Sequence, residues 1–213
     1  MWAQPHWAGE AMASPAPQQG FVDPRVAQEF PGLRLRWVTL AARPGPSPPA
    51  LRDRLRDLSN RYRGGSVVTM RTKPIPQAFR AFFRQIGLDP DVRRIPSEEV
   101  AVARLLQGGL RSVDLVSDAC LVALVETGVP MWALDAEQID SAGLGIRVVA
   151  GGDLVVGDGA RTCCALFEHP SPECAVAPRT RRVTLFTLAV DGVPEIHVEE
   201  ALWCAVDLLA PGF

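Results

Sequence analysis

The hydrophobic period of this chain changes near Gly128, and this change restricts the possible folds more than any other feature. Between Ala50 and Gly128, apolar side chains recur at helical spacing, which is typical of amphipathic helices. From Leu144 onward, short alternating segments are separated by Gly-Gly and Asp-Gly turns, which is typical of antiparallel strands. Leu33 to Ala42 also alternates and predicts an earlier strand. The sequence therefore predicts an α+β domain, in which a mixed, largely antiparallel sheet in the C-terminal half packs with helices from the N-terminal half.

Two of the predicted helices carry charged residues in informative places. One has a stripe of Phe and Ile side chains on one face, with Arg80 and Arg84 on the other. The helix predicted from Ser112 to Gly128 is apolar on most faces and is expected to be buried, yet it contains Asp118. Because a lone buried carboxylate is costly, Asp118 needs a partner. We expect this partner to be Arg147, which lies on a later strand.

The length of 213 residues fits one ordinary domain with a tail. Residues 1–20 are rich in Pro, Ala, Gln and Gly without periodicity, which predicts a disordered tail before a single domain of residues 21–213. The sequence has neither an apolar run of membrane-spanning length nor a secretory signal pattern. The five scattered Cys residues indicate reduced thiols. We therefore expect a cytoplasmic protein that does not associate with membranes.

The net charge of −2 conceals a basic segment. Residues 52–94 hold eleven Arg or Lys and four Asp, whereas the rest of the chain holds eleven basic and twenty acidic residues. Almost all the basic residues are Arg, whose planar guanidinium donates paired hydrogen bonds to phosphate. One interpretation is RNA binding, with phosphate contacts from Arg80, Arg84, Arg93 and Arg94. The alternative is that these charges only solvate the outer faces of helices.

Familiar catalytic and nucleotide-binding motifs are absent from the sequence. Cys163 and Cys164 are neighbours on a predicted strand and would point to opposite faces, so they are poorly placed to share one zinc ion. We expect no metal and no other cofactor. His169 follows Glu168 at a predicted strand end and is the best-placed candidate for acid-base chemistry. A surface or hydrogen-bonding role for His169 is the alternative.

The segment ETGVPMWALDAEQI, residues 126–139, places Trp132 and Asp135 just after a predicted helix end. One interpretation is that Trp132 belongs to the core and Asp135 caps the next helix. The other is that this turn forms one wall of a pocket.

The order of several segments resembles a known family, the tRNA-binding and editing domain of the beta subunit of bacterial phenylalanyl-tRNA synthetase, its modules B-three and B-four. Free-standing versions of this domain exist, and the chain is similar to those over about residues 21–210. The segments that carry the resemblance are VAQEFPGL (26–33), AFRAFFRQIGLDP (78–90), SEEVAVARLLQGG (97–109), VDLVSDACLVALVETGVPMWALDAEQI (113–139), GIRV (145–148) and GGDLV (151–155).

The resemblance implies an editing-domain fold and hydrolysis of the ester that joins a wrong amino acid to tRNA. For a free-standing protein it implies deacylation in trans, with the aminoacylated 3′ end of tRNA as partner and no DNA. Such a reaction requires a held ester, a positioned water and donors for the developing oxyanion. The resemblance also implies where the site lies. The substrate pocket would include Trp132, Asp135, Arg147 and Asp118, and the candidate catalytic residues are His169 and Glu168.

Three features depart from the family pattern. Trp132 stands where the family often has His, Leu121 stands where it often has Asn, and residues 165–173 lack the glycines of its pocket loop. An indole cannot usefully exchange a proton with water, but it can pack on an aminoacyl group or on the terminal adenine. The alternative function is a non-catalytic module that binds RNA or a small metabolite. If side chains fill the pocket, a purely structural role is the third possibility.

Overall fold

The computed structural model describes residues 16–61, 65 and 69–210. Over these residues the chain forms six α-helices, eight strands and one short 3-10 helix. In chain order the elements are β1 (Gln18–Gln19), β2 (Phe21–Val22), α1 (Pro24–Glu29), β3 (Arg34–Ala41), α2 (Pro49–Arg61), α3 (Pro74–Gln85), α4 (Pro96–Gln107), α5 (Leu115–Thr127), β4 (Met131–Asp135), the 3-10 helix (Ala136–Gln138), β5 (Gly145–Val148), β6 (Leu154–Gly157), β7 (Thr162–Ala165), β8 (Arg182–Ala189) and α6 (Glu195–Leu209).

The strands form two four-stranded sheets, so the α+β class is confirmed, but the strands of the C-terminal half do not share one sheet. The first sheet has the order β1-β3-β8-β4, and all its pairs are antiparallel. The second has the order β2-β5-β6-β7, in which β2 runs parallel to β5 and the other pairs are antiparallel. A strand of the N-terminal half, β3, pairs along its whole length with β8 and is therefore central to the first sheet.

The N-terminal boundary of the folded part lies earlier than the sequence predicts. Residues 1–15 of the predicted tail are outside the described residues. Gln18 and Gln19, which the sequence places in the tail, pair with Trp37 and Arg36 of β3. The backbone amide of Gly20 then donates to the Leu35 carbonyl. Short polar strands of this kind have no hydrophobic period, so only their pairing reveals them.

Helix α5 is buried because other elements surround it: α2, α6 and β4 all pack against it. Asp114 caps its first turn and accepts hydrogen bonds from the amides of Val116 and Ser117. Gly128 ends the helix in the left-handed conformation, with φ of 78°. Its neighbour α6 also packs on β8 and β3. The two helices therefore cover one face of the first sheet.

The segment after Gly128 is a strand rather than the turn that the sequence predicts. Met131–Asp135 forms β4, an edge strand that pairs antiparallel with β8. In this register Trp132 lies opposite Phe186, and Trp37 of β3 lies opposite Phe186 on the other side.

Among the described residues, no helix combines the length and the apolar composition needed to cross a bilayer.

Candidate functional site

A cavity of about 780 Å³ opens beside β4. Ligand sites in proteins usually measure about 300–1,000 Å³ and are mainly apolar with a few polar groups. This cavity has that character. Its walls come from α4, from α5, from β4 and from two loops, and they include Glu99, Val100, Ala103, Asp114, Ser117, Cys120, Leu121, Leu124, Met131, Trp132, Phe167, His169, Val176 and Pro178.

Trp132 belongs to the core and to the cavity wall at the same time. Its side chain is 9% exposed, and its ring stacks on Phe186 with centroids 5.3 Å apart and an interplanar angle of 15°. The register of β4 on β8 places these two rings opposite each other. Trp132 also lines the cavity. The core packing fixes the orientation of the indole, and a ligand in the cavity would meet a rigid aromatic surface.

Asp135 does not line the cavity, and its position supports the interpretation as a cap. The residue is 3% exposed. Its carboxylate accepts a hydrogen bond of 2.7 Å from the Thr180 hydroxyl and one of 3.1 Å from the Glu137 amide, at the start of the 3-10 helix. These contacts hold the end of β4 against the loop before β8. Asp135 thus supports the wall that Trp132 forms and does not contribute to its surface.

The predicted pairing of Asp118 with Arg147 is wrong. Asp118 is fully buried and accepts from the hydroxyls of Ser47 and Ser112 and from the Val113 amide. Three hydrogen bonds satisfy this carboxylate without a cation. The Nε and Nη2 atoms of Arg147 are buried and have no hydrogen-bond partner among the described residues. Neither side chain lines the cavity.

His169 lines the mouth of the cavity, whereas its neighbour Glu168 does not. Glu168 forms an ion pair with Arg93 on the surface. Both Glu168 and His169 are exposed. Of the two predicted catalytic residues, only His169 therefore contributes to the lining of the cavity. Glu168 is bound to Arg93 outside it.

Phe167 is a cavity residue that sequence reasoning missed. It has a φ of 64°, which makes it the one non-glycine residue with positive φ in the described part of the chain. Its ring packs at centroid distances of 6.0, 5.9, 4.9 and 6.0 Å on Phe79, Phe82, Phe83 and Trp132. Positive φ is unfavourable for a bulky side chain and persists only where the surroundings impose it. The strained backbone places an aromatic ring between the helix α3 and the cavity.

The four arginines predicted to bind phosphate have different environments. Arg80 is 9% exposed, and its guanidinium is already hydrogen-bonded within the protein. It donates to both oxygens of Glu98 at 3.0 Å and to Asp91 at 2.6 Å. This hydrogen bond from Arg80 holds the pKa of Asp91 below its ordinary value. Arg80 thus binds carboxylates of the protein itself and has little exposed surface to offer to a phosphate. Arg93 is paired with Glu168.

Arg84 and Arg94 are exposed and keep their place as candidates. Sequence reasoning missed two further exposed arginines, Arg43 and Arg179. They directly precede and follow Pro44 and Pro178, which line the cavity. Because adjacent Cα atoms are about 3.8 Å apart, the backbone of both arginines lies close to the cavity lining.

Apart from His169, the ionisable oxygen and nitrogen groups that line the cavity are carboxylates. Glu99 and Asp114 line it, and none of the lining residues in the described part of the chain is Arg or Lys. The Asp114 carboxylate already caps α5 and accepts from the Ser117 hydroxyl at 2.7 Å. Glu99 is exposed in the first turn of α4. A ligand with a positive or neutral polar group suits this lining better than an anion.

Cys120 lines the cavity but is not an activated nucleophile. Burial raises the pKa of its thiol to about 12. The thiolate is the reactive form, so this sulfur stays protonated and unreactive near neutral pH.

In residues 16–61, 65 and 69–210, no three His, Cys, Asp or Glu side chains come together in a way that could hold a metal ion.

Comparison of the sequence with models of protein families finds no match, and comparison with curated proteins finds no significant one.

Proposed function

We propose that the cavity beside Trp132 holds the amino acid of an aminoacyl-tRNA and that the protein hydrolyses the ester of a mischarged tRNA in trans. The observation that carries this proposal is the lining of the cavity, which is apolar and aromatic, with two carboxylates and, among the described residues, no Arg or Lys. The resemblance of the order of sequence segments to the synthetase editing domain suggests the same substrate class.

The charge of the lining favours an ester over a free amino acid. A free amino acid has a carboxylate that needs a cation or several donors, and the described lining contains no Arg or Lys. An aminoacyl ester has lost this carboxylate charge and keeps its α-ammonium group. Glu99 and Asp114 are the groups of the cavity that attract an ammonium ion. Trp132 and Phe167 offer aromatic surfaces to the amino-acid side chain.

The reaction needs few groups. Water attacks the ester carbonyl carbon, the tetrahedral intermediate collapses, and the ribose oxygen leaves with a proton to give a free amino acid and uncharged tRNA. In this proposal His169, which lines the cavity, takes the proton from the attacking water and returns it to the leaving ribose oxygen. Glu168 contributes indirectly, because its ion pair with Arg93 holds the loop that carries His169.

The nucleic acid would extend from the mouth of the cavity. Arg43 and Arg179 beside the cavity lining, with Arg84 and Arg94, are exposed groups for phosphate contacts. Binding through phosphates must weaken steeply as salt concentration rises, because each neutralised phosphate releases counterions. A salt dependence that is flat between 50 and 200 mM would remove this assignment.

The decisive experiment incubates the full-length protein with a panel of correctly charged and mischarged tRNAs and follows the loss of the ester. We expect one class of mischarged tRNA to lose its amino acid faster than in buffer alone. His169→Ala should lower this rate by about 10²-fold or more if the imidazole is the general base. Ser141→Ala is the control, since Ser141 is exposed, lies outside this cavity and should leave the rate unchanged.

A second candidate is binding without turnover, which is favoured by the exposed position of His169 and its separation from Glu168. A titration that follows tryptophan fluorescence with a non-hydrolysable aminoacyl amide of adenosine distinguishes the two. Binding of this analogue, together with no ester loss from any tRNA, would support the binding module. Absence of both would contradict both candidates.

A further inference from the structure

A second cavity, of about 360 Å³, lies at the C-terminal end of α5, apart from the cavity beside Trp132, and its position suits an anion. It is lined by the start of α3 (Lys73, Pro74, Ile75, Pro76), by Ser97 of α4, by the end of α5 and by Pro194 and His197 at the start of α6. Three helix N-termini therefore meet at one cavity. The helices have 12, 12 and 15 residues, so each has a developed dipole with its positive end at this point.

None of these three N-termini has a side-chain cap. The N-cap residues are Lys73, Ile95 and Pro194, and none of them accepts a hydrogen bond from the first turn through its side chain. Helix N-termini usually have an acceptor such as Ser, Thr, Asp or Asn at this position. By contrast, α1 and α5 in the same protein are capped by Asp23 and Asp114. The uncapped ends share the same cavity.

The acidic residues of these first turns are engaged elsewhere. Glu98 of α4 binds Arg80, and Glu195 of α6 binds Arg36. Glu99 faces the aminoacyl cavity. The first turn of α3 contains no acidic residue. No carboxylate of these first turns thus occupies the second cavity.

One carboxylate does line the second cavity, and a cation already neutralises it. Glu126 near the end of α5 accepts from Arg54 through both of its oxygens, at 3.0 and 2.6 Å. Lys73 adds a positive charge to the lining, and His197 adds an imidazole. The charge of the lining is therefore favourable for a small anion.

Ser97 supplies an independent indication of a ligand. It is 8% exposed, it lines this cavity, and its hydroxyl has no hydrogen-bond partner among the described residues. A buried hydroxyl without a partner is unfavourable, so native structures rarely contain one unless a ligand or a water completes it. Ser97 is the second residue of α4, so its hydroxyl and the positive end of the helix can interact with one and the same anion.

The rest of the lining is apolar and selects the body of the ligand. Met70, Ile75, Val125 and three prolines surround the space. A bare inorganic phosphate is strongly hydrated and gains nothing from such walls, whereas an apolar group buries area favourably there. We propose that the second cavity binds a small carboxylate with an apolar body, whose oxygens accept hydrogen bonds from the Ser97 hydroxyl and the Lys73 ammonium group, beside the positive ends of α3, α4 and α6.

The test titrates the full-length protein with phenylacetate, phenylacetamide and inorganic phosphate by calorimetry. Phenylacetate should bind, and the amide, which has the same shape without the charge, should bind at least about tenfold more weakly. Phosphate should bind more weakly than phenylacetate, because it lacks an apolar body. Absence of phenylacetate binding at several millimolar, or phosphate binding as tight as that of phenylacetate, would overturn the proposal.

Two variants locate the binding. Ser97→Ala removes a hydroxyl that bonds to nothing else in the described structure, so it should fold normally and weaken phenylacetate binding about tenfold. Lys73→Gln should weaken it and reduce its dependence on salt. Ser141→Ala, at an exposed loop position, is the matched control and should change nothing. Unchanged binding in both Ser97→Ala and Lys73→Gln would contradict the assignment, whatever the outcome of the tRNA experiment.

Discussion

At the scale of single residues, burial separates side chains that look equivalent in the sequence. Arg80 and Arg84 lie one helical turn apart on α3, but Arg80 is 9% exposed and paired, whereas Arg84 is exposed. Glu98, the partner of Arg80, is 3% exposed. Arg80, which the sequence suggests as a phosphate ligand, is therefore part of a buried ion pair with Glu98. Its environment differs from that of Arg84, although both arginines have the same helical spacing.

The two arginines should respond differently to truncation. Arg80→Ala leaves the carboxylate of Glu98 buried with its main partner gone, and breaking a buried pair in this way costs about 3 kcal/mol of unfolding free energy. Arg84→Ala should cost less than about 0.5 kcal/mol, as exposed substitutions usually do. Denaturant unfolding of both variants measures the difference. Equal effects would show that the Arg80 pair does not stabilise the fold.

At the scale of secondary structure elements, close backbone contacts decide where the second sheet can turn. Gly157 ends β6, and a Cβ atom at this position would collide with the carbonyl oxygen of Arg161. The β6–β7 pairing is irregular at Val156 and Gly157. The Asp158 carboxylate closes the turn by accepting from the amides of Ala160 and Arg161. Glycine is required here by the approach of the backbone and not by a positive φ.

Substitution of Gly157 tests this contact. Gly157→Ala should lower the free energy of unfolding by about 2 kcal/mol or more, because the backbone of the turn must move to admit a methyl group. Gly45→Ala is the control, since a Cβ there meets nothing within 4 Å. Thermal or denaturant unfolding provides the measurement. A Gly157→Ala protein as stable as the control would contradict the close contact.

At the scale of the whole molecule, the free thiols contribute to the pH dependence of stability. Burial raises the pKa of Cys164 and Cys120 to about 12 and that of Cys204 to about 11, from an ordinary value of 9.0. It raises the pKa of Cys163 as well. Because these groups lose their proton less readily in the folded state, their contribution to stability is complete below pH 9 and disappears as the pH rises toward the folded pKa values.

We expect the free energy of unfolding to fall between pH 9 and pH 11. Each of these thiols contributes a loss of at most about 1.4 kcal/mol per pH unit in this range. Chemical denaturation under reducing conditions at several pH values measures the slope. Cys164→Ala should reduce the slope by the share of one thiol. An unchanged slope in this variant would show that its thiol ionises equally well in the folded protein.

The sequence by itself determined those features that depend on neighbouring residues. The helical period, the stop at Gly128 and the strands from Gly145 onward all follow from local patterns, and the structure contains them. The interpretation of Asp135 as a cap of the next helix also rested on neighbouring residues, and Asp135 caps the 3-10 helix. Such features are predictable because the hydrogen bonds that define them join residues a few positions apart.

Only the tertiary structure decided the partners and the sites. Asp118 accepts a hydrogen bond from Ser47, which is 71 positions away, and not from the expected Arg147. The eight strands of the described residues divide into two sheets. Both cavities lie between elements that are distant in the sequence. Each of the three helices at the second cavity begins at or next to a proline, which is a local signal for a helix start, but no local pattern places the three starts together. The physical reason is that long-range packing chooses among many side chains of the same type, and a local pattern cannot distinguish between them.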